Sequence, residues 1–309
     1  MLRYAADIRT VIWIGILAPA LVAVAYCFPE KALFLAPLCA YFALSAGVIA
    51  HNHNHCPTFR ARRMNAVFGN WLPIFYGYPT FGWIPTHNLN HHRFVNRRGD
   101  ATITWRLTPR HNLLAAATYF FVSSYYQGEP IKRFIREARL NKPRVYRSIV
   151  GQYVTVAAVH LLMLGLAVAL YGPVRGGLLW LLVLGLPAFF SLFTIMLFNY
   201  EQHVHADPGS KLNHSRNFEG RVLNFLLFNN GLHTAHHESP GTHWSRLPEA
   251  HARLRADIDA RLLEKSLWVY WTKQYLLAPF FPSLGTQQVG RAASEYDGFD
   301  VTEAQASAV

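Results

Sequence analysis

Four long stretches of this chain carry no charged residue, and they constrain the fold more than any other feature. Val11 to Phe28 is eighteen residues without a charge, and Ala32 to Ala50 is nineteen. Tyr153 to Tyr171 and Leu178 to Phe198 repeat the pattern later in the chain. Eighteen helical residues reach about 27 Å, enough to cross the hydrocarbon core of a bilayer. Composition agrees: 52% of residues are hydrophobic and only 15% are charged, where a soluble domain runs near a quarter. The expected fold class is an all-α integral membrane protein with four transmembrane helices, at about 11–28, 32–50, 153–171 and 178–198.

The connections group these helices in pairs. Pro29-Glu30-Lys31 separates the first two, and Gly172 to Gly177 separates the last two. Each pair therefore reads as a hairpin with its outer ends on one side. Of the 29 Lys and Arg, two lie in residues 1–10, fifteen in 51–150 and ten in 198–309. Only Lys31 and Arg175 lie in the two turns. By the positive-inside rule the turns face out and both termini face the cytoplasm. No cleavable signal is expected in the first ten residues. Val67 to Pro85 holds Gly69, Pro73, Gly77, Pro79, Gly82 and Pro85, too many breakers for a spanning helix, and reads as interfacial. Residues 112–126 read as interfacial or as a short re-entrant helix, and 131–147 as a basic surface segment. From 245 onward the chain reads as soluble in character. Residues 1–289 form one expected domain, and 290–309 an expected disordered tail.

Nine of the sixteen histidines fall in three clusters, and each cluster follows an apolar segment. His51, His53 and His55 begin where the second run ends. His87, His91 and His92 follow Trp83-Ile84-Pro85, and His233, His236 and His237 follow Leu223 to Phe228. On a helix, His87 and His91 are four residues apart and share a face, with His92 beside it. Neutral imidazole is the commonest metal ligand. Eight or nine imidazoles are too many for one ion, and two ions with four or five nitrogens each fit the count. A histidine-rich pair suits iron handling O₂, although ligand type alone leaves zinc open. Cys27, Cys39 and Cys56 show no paired spacing, so neither a disulfide framework nor a thiolate cluster is expected. Asp100, Glu201, Asp207 and Glu238 are the nearest carboxylates in sequence and are candidates to hold the far N–H of ligating histidines.

The order HxxxH (51–55), HxxxHH (87–92), HxxHH (233–237), between two apolar pairs, resembles the membrane fatty acid desaturase and hydroxylase superfamily. The likeness extends to HHRFVNRRGDATITW (91–105) and FNNGLHTAHHESPGTHWSRLPEAH (228–251). NYEQHVHAD (199–207) is similar to the extra histidine motif that follows the fourth span and is shared with alkane hydroxylases. The resemblance covers roughly residues 30–255. It implies a cytoplasmic helical cap carrying two non-haem irons, with O₂ as co-substrate. By the family pattern the ligands are His51, His55, His87, His91, His92, His203, His233, His236 and His237. His53, His205 and His243 lie beside the motifs and are expected to support or flank the site. His111, His160, His214 and His251 are expected to be structural or surface residues.

The reaction first expected is desaturation of a long acyl chain, carried as acyl-CoA, on acyl carrier protein or in a lipid. Hydroxylation of an alkane, fatty acid, carotenoid or sphingolipid by the same centre is the alternative. The chain has no HPGG-type haem module and no flavin or dinucleotide glycine motif. Electrons are therefore expected from a separate ferredoxin, rubredoxin or cytochrome, and no nucleic-acid partner is expected. The expected location is multi-pass in a membrane, a bacterial inner membrane, with the active site cytoplasmic. A metal transporter is disfavoured, because a transport path needs polar groups at mid-membrane and the four runs hold no acidic residue and one histidine, His160.

Overall fold

Apolar residues with good helix propensity dominate the four uncharged runs, and each is helical in the computed structural model, which describes residues 1–296, save that Phe28 caps the first helix from outside it. Four helices are long and apolar enough to cross a membrane: Asp7–Cys27, Pro29–His55, Pro143–Tyr171 and Pro173–His203. They run longer than the uncharged stretches because helical hydrogen bonding continues through polar residues. The last, at 31 residues, is about 46 Å long against a hydrocarbon core of about 30 Å. The third has only 6% of its most apolar window buried. Such exposure of leucines is tolerable in lipid and not in water.

The described chain falls into two compact units. The first comprises residues 1–84 and 132–195 and holds most of the apolar helix length. Small residues set its packing. A Cβ on Gly176 would lie 2.3 Å from the Ala167 carbonyl oxygen, so the two backbones touch only because that position is glycine. Ser191 donates to the Ala43 carbonyl at 2.9 Å, and Tyr26 donates to that of Met163 at 3.2 Å. The first and last spans loosen into π-helix at Ile12–Leu17 and Leu181–Gly185, each just before a proline, Pro19 and Pro187. A proline lacks the N–H that a carbonyl one turn back would accept, and the wider register relaxes the strain there. The breaker-rich stretch is divided into Arg62–Trp71, Pro73–Tyr76 and Thr80–Gly82, with Gly77 left-handed between the last two. His160, in the third span, donates from its ring to the Ile74 carbonyl at 2.9 Å.

The second unit comprises residues 85–131 and 196–309, described to 296. It contains His233–Glu238, Leu247–Leu254 and Leu267–Trp271, the last continuing as π-helix over Thr272–Leu277. A two-residue parallel ladder pairs Asn217 with Leu263 and Phe218 with Glu264, a small departure from an all-helical chain. Leu113–Asn141 is one helix, which overrides the division into a 112–126 segment and a basic 131–147 segment. The backbone instead breaks at Lys142–Pro143, where the proline restricts the residue before it and opens the third span. Of the expected tail, residues 290–296 contain a single turn at Ala293–Glu295, and Tyr296 donates to Asp207 at 2.5 Å. The remainder, 297–309, lies outside the described residues.

Candidate metal centre

His87 and His91 lie on a π-helical segment, Ile84–His91, rather than on an α-helix. The π register aligns residues five apart. His92 Nε2 accordingly lies 3.0 Å from His87 Nε2, so the residue expected beside the face joins it. Beyond His92 the chain turns through two left-handed residues, Val95 and Asn96, and folds back to deliver Asp100. Its buried carboxylate accepts from Asn96 N at 2.8 Å, Thr102 N at 2.7 Å and Thr102 Oγ1 at 2.6 Å. His91 Nδ1 lies 2.8 Å from the same carboxylate. Burial alone would raise the Asp100 pKa; the His91 ring and the hydrogen bonds from His91 and Thr102 outweigh it and hold the carboxyl below its ordinary value.

His203 ends the fourth span. Its Nδ1 donates to the His214 carbonyl at 3.1 Å, and Asn96 Nδ2 donates to the His203 carbonyl at 3.1 Å. The fully buried Arg216 closes the same helix end, donating to the carbonyls of Glu201 and Val204 at 2.9 and 3.1 Å. His233 and His237 lie one turn apart on His233–Glu238. That helix starts after a tight loop in which Phe228 and Asn229 are left-handed. A Cβ on Gly231 would lie 2.4 Å from the Phe218 carbonyl oxygen and 2.7 Å from Asn224 Oδ1, so the loop closes only on glycine. Asn217 caps the helix by accepting from Thr234 N at 3.0 Å.

The four side chains meet. His91 Nε2 lies 3.1 Å from that of His203 and 3.2 Å from that of His237. His233 Nε2 lies 2.9 Å from that of His203 and 3.1 Å from that of His237. Beside this ring, His92 Nε2 lies 3.1 Å from His236 Nε2 and 3.0 Å from His87 Nε2. Seven of the nine expected ligands thus gather within the second unit. His51 and His55 belong to the first unit, where their rings stand 4.9 Å apart one turn from each other on the second span.

The donor set fits a cation. Asp100 and the His214 carbonyl can only accept, so the protons of His91 and His203 sit on Nδ1 and their Nε2 lone pairs point inward. Burial, then the neighbouring His92, His233, His91 and His203, holds the His237 pKa well below its ordinary value, in the neutral form that binds metal. His233 and His237 complete the ring; with their protons also on Nδ1, four lone pairs converge and one ion can accept all of them.

The remaining histidines have other work. His53 Nδ1 accepts from Thr58 N at 3.2 Å. His205 spends both ring nitrogens on Thr286 and the Pro109 carbonyl. His243 caps the turn Trp244–Arg246. His111 lies 3.1 Å from the Tyr275 hydroxyl, and His251 2.9 Å from Glu219. Among the four candidate carboxylates, Asp100 alone is hydrogen-bonded to a histidine of the ring. Glu201 instead accepts from Tyr270 at 2.7 Å and from Tyr275. Asp207 holds Tyr296 and the backbone of Gly209 and Arg291, and Glu238 lies 3.8 Å from His214. Asn96, Thr102 and the His214 carbonyl were not foreseeable as supports, although the first two fall in the 91–105 segment that carried the resemblance.

The model of the family described as fatty acid desaturase matches residues 31–273. The chain belongs to the fatty acid desaturase family. The match includes all nine expected ligands and three of the four spans. No curated protein and no solved structure matches the chain. Membership makes this desaturase-family chain an oxidoreductase that modifies fatty acids, with a lipid substrate and a place in the membrane. Its histidine cluster is of the kind the family uses to hold non-haem iron.

Proposed function

We propose that the chain is an O₂-dependent desaturase that introduces a double bond into a long acyl chain. Nine histidines are proposed to hold two irons: His51, His55, His87, His91, His92, His203, His233, His236 and His237. The observation that carries this reading is the ring of Nε2 atoms from His91, His203, His233 and His237, with two of its tautomers fixed from behind. Iron there would supply the oxidant that an unactivated methylene requires and no side chain can provide. The protein's part is to keep the imidazoles neutral, aimed and buried. Asp100 and Thr102 hold His91, and the His214 carbonyl holds His203.

Desaturation consumes one O₂, two electrons and two protons, forms two waters, and removes one hydrogen from each of two adjacent carbons. The electrons are proposed to come from a separate ferredoxin, rubredoxin or cytochrome. The division of Lys and Arg, 27 outside the two short turns against two within them, supports a cytoplasmic site, with both turns on the outer side of a bacterial inner membrane. Hydroxylation is the second reading, because His203, from the stretch resembling alkane hydroxylases, is a full member of the ring.

The test is expression with a reducing partner, metal analysis of the purified protein, and mass spectrometry of the lipid product. Iron with a product lighter by two hydrogens is the expected result. A product heavier by one oxygen establishes hydroxylation instead. Normal iron content and turnover after alanine replacement of His87, His91 and His92 would refute the site.

A further inference from the structure

The stretch from Leu267 to Leu284 reads as soluble from its sequence neighbours, yet it presents an apolar face to the outside. Trp268 is 73% exposed, Leu276 64% and Phe280 78%, with Val269 and Phe281 also exposed. The opposite face is packed. Leu267, Tyr270 and Trp271 join a cluster with Phe198 and Phe218, and Tyr275, like Met196 and Leu197, packs against the cluster that holds Tyr119 and Tyr200. Gln274 donates to the His111 carbonyl at 2.9 Å and accepts from Thr286 N at 2.8 Å. The helix is therefore anchored on one side and uncovered on the other.

What covers it follows from where it is anchored. Met196, Leu197 and Phe198 belong to the last two turns of Pro173–His203, the helix about 46 Å long that outreaches the hydrocarbon core. A segment packed on those turns sits at the level where a spanning helix leaves the bilayer. Arg221–Leu226 repeats the arrangement: Leu223 packs into the same cluster, while Val222 and Phe225 are exposed. Tryptophan beside apolar residues suits the headgroup boundary. Lys273 within the stretch and Lys265 just before it are exposed and suit anionic lipid heads, whereas Arg261 is paired with Asp259 at 2.6 Å.

We infer that residues 267–284 form an interfacial anchor, seated with Trp268, Leu276, Phe280 and Phe281 in the headgroup and acyl boundary of the membrane that the four helices cross. It reaches beyond residue 273, where the family match ends. The inference rests on Pro173–His203 being a membrane span.

A nitroxide label tests both points in the full chain. Phe280→Cys, Leu186→Cys and Arg261→Cys are made in a background with Cys27, Cys39 and Cys56 replaced by alanine, and placed in nanodiscs of phosphatidylethanolamine and phosphatidylglycerol. The label at 280 should collide with O₂ several-fold more than with a water-soluble nickel chelate, as at 186, and the label at 261 should show the reverse. Chelate access at 280 with O₂ access at 186 overturns the anchor and leaves the span intact. Chelate access at 186 removes the span and the anchor with it. Low access to both probes at 280 overturns the anchor in favour of a second copy of the chain. A label-free measurement covers failure of the cysteine-free background. In brominated lipid, Trp268→Phe should lower the fraction of tryptophan emission that is quenched, and an unchanged fraction counts against the anchor.

Discussion

At the scale of single residues, the centre is decided by what lies behind the imidazoles. Asp100 gathers four donors, from His91, Asn96 and Thr102. An amide of the same shape cannot accept all of them, because its NH₂ would face a backbone N–H. Asp100→Asn should therefore free His91 to rotate or change tautomer, and lower metal affinity by roughly 10–100-fold. Metal content after dialysis against a graded chelator measures this, with helical content unchanged. His53, His205 and His243 sit beside the motifs, and each holds a loop or turn through a ring nitrogen while standing outside both groups of converging imidazoles.

At the scale of elements, three irregularities create the site. The π register over Ile84–His91 aligns His87 with His92. The left-handed pair Val95 and Asn96 turns the chain back so that Asp100 reaches His91. The Phe228–Gly231 loop presents His233–Glu238 with three imidazoles on one short helix. The loop offers the sharpest test. Gly231→Ala would force a Cβ against the Phe218 carbonyl and Asn224, both parts of a hydrogen-bonded loop that cannot yield easily. The expected cost is about 1–3 kcal/mol, with His233 displaced. A fall in both metal content and thermal midpoint is the expected result; wild-type values in both would show that the loop absorbs the methyl.

For the whole molecule, the prediction is topological. A cysteine near Arg175 should react with an impermeant thiol reagent in whole cells, and one near Arg139 should not; the reverse pattern inverts the proposed orientation. The exposed bases Lys132, Arg133, Arg136 and Arg139 then face the compartment of the acyl carrier. Arg133→Gln with Arg136→Gln should raise KM for a thioester substrate more than it lowers kcat, because remote docking is largely uniform binding. The KM increase should shrink as salt rises, since exposed charges are screened over about 8 Å at physiological ionic strength. A neutral substrate should be indifferent to the change.

Hydropathy and histidine spacing, readable from the chain alone, determined the four spans, the three clusters and the family. These depend on composition over a turn or more of helix, which survives ignorance of the fold. The tertiary structure decided the supports. That Asp100 and not Glu201 holds a ring histidine depends on two left-handed residues and on a helix end rotated toward Tyr270. That Leu267 to Leu284 is apolar on its outer side depends on which face Phe198 and Phe218 cover. Both are questions of direction, and a side chain's direction is set by packing between segments far apart in sequence, which no local pattern encodes.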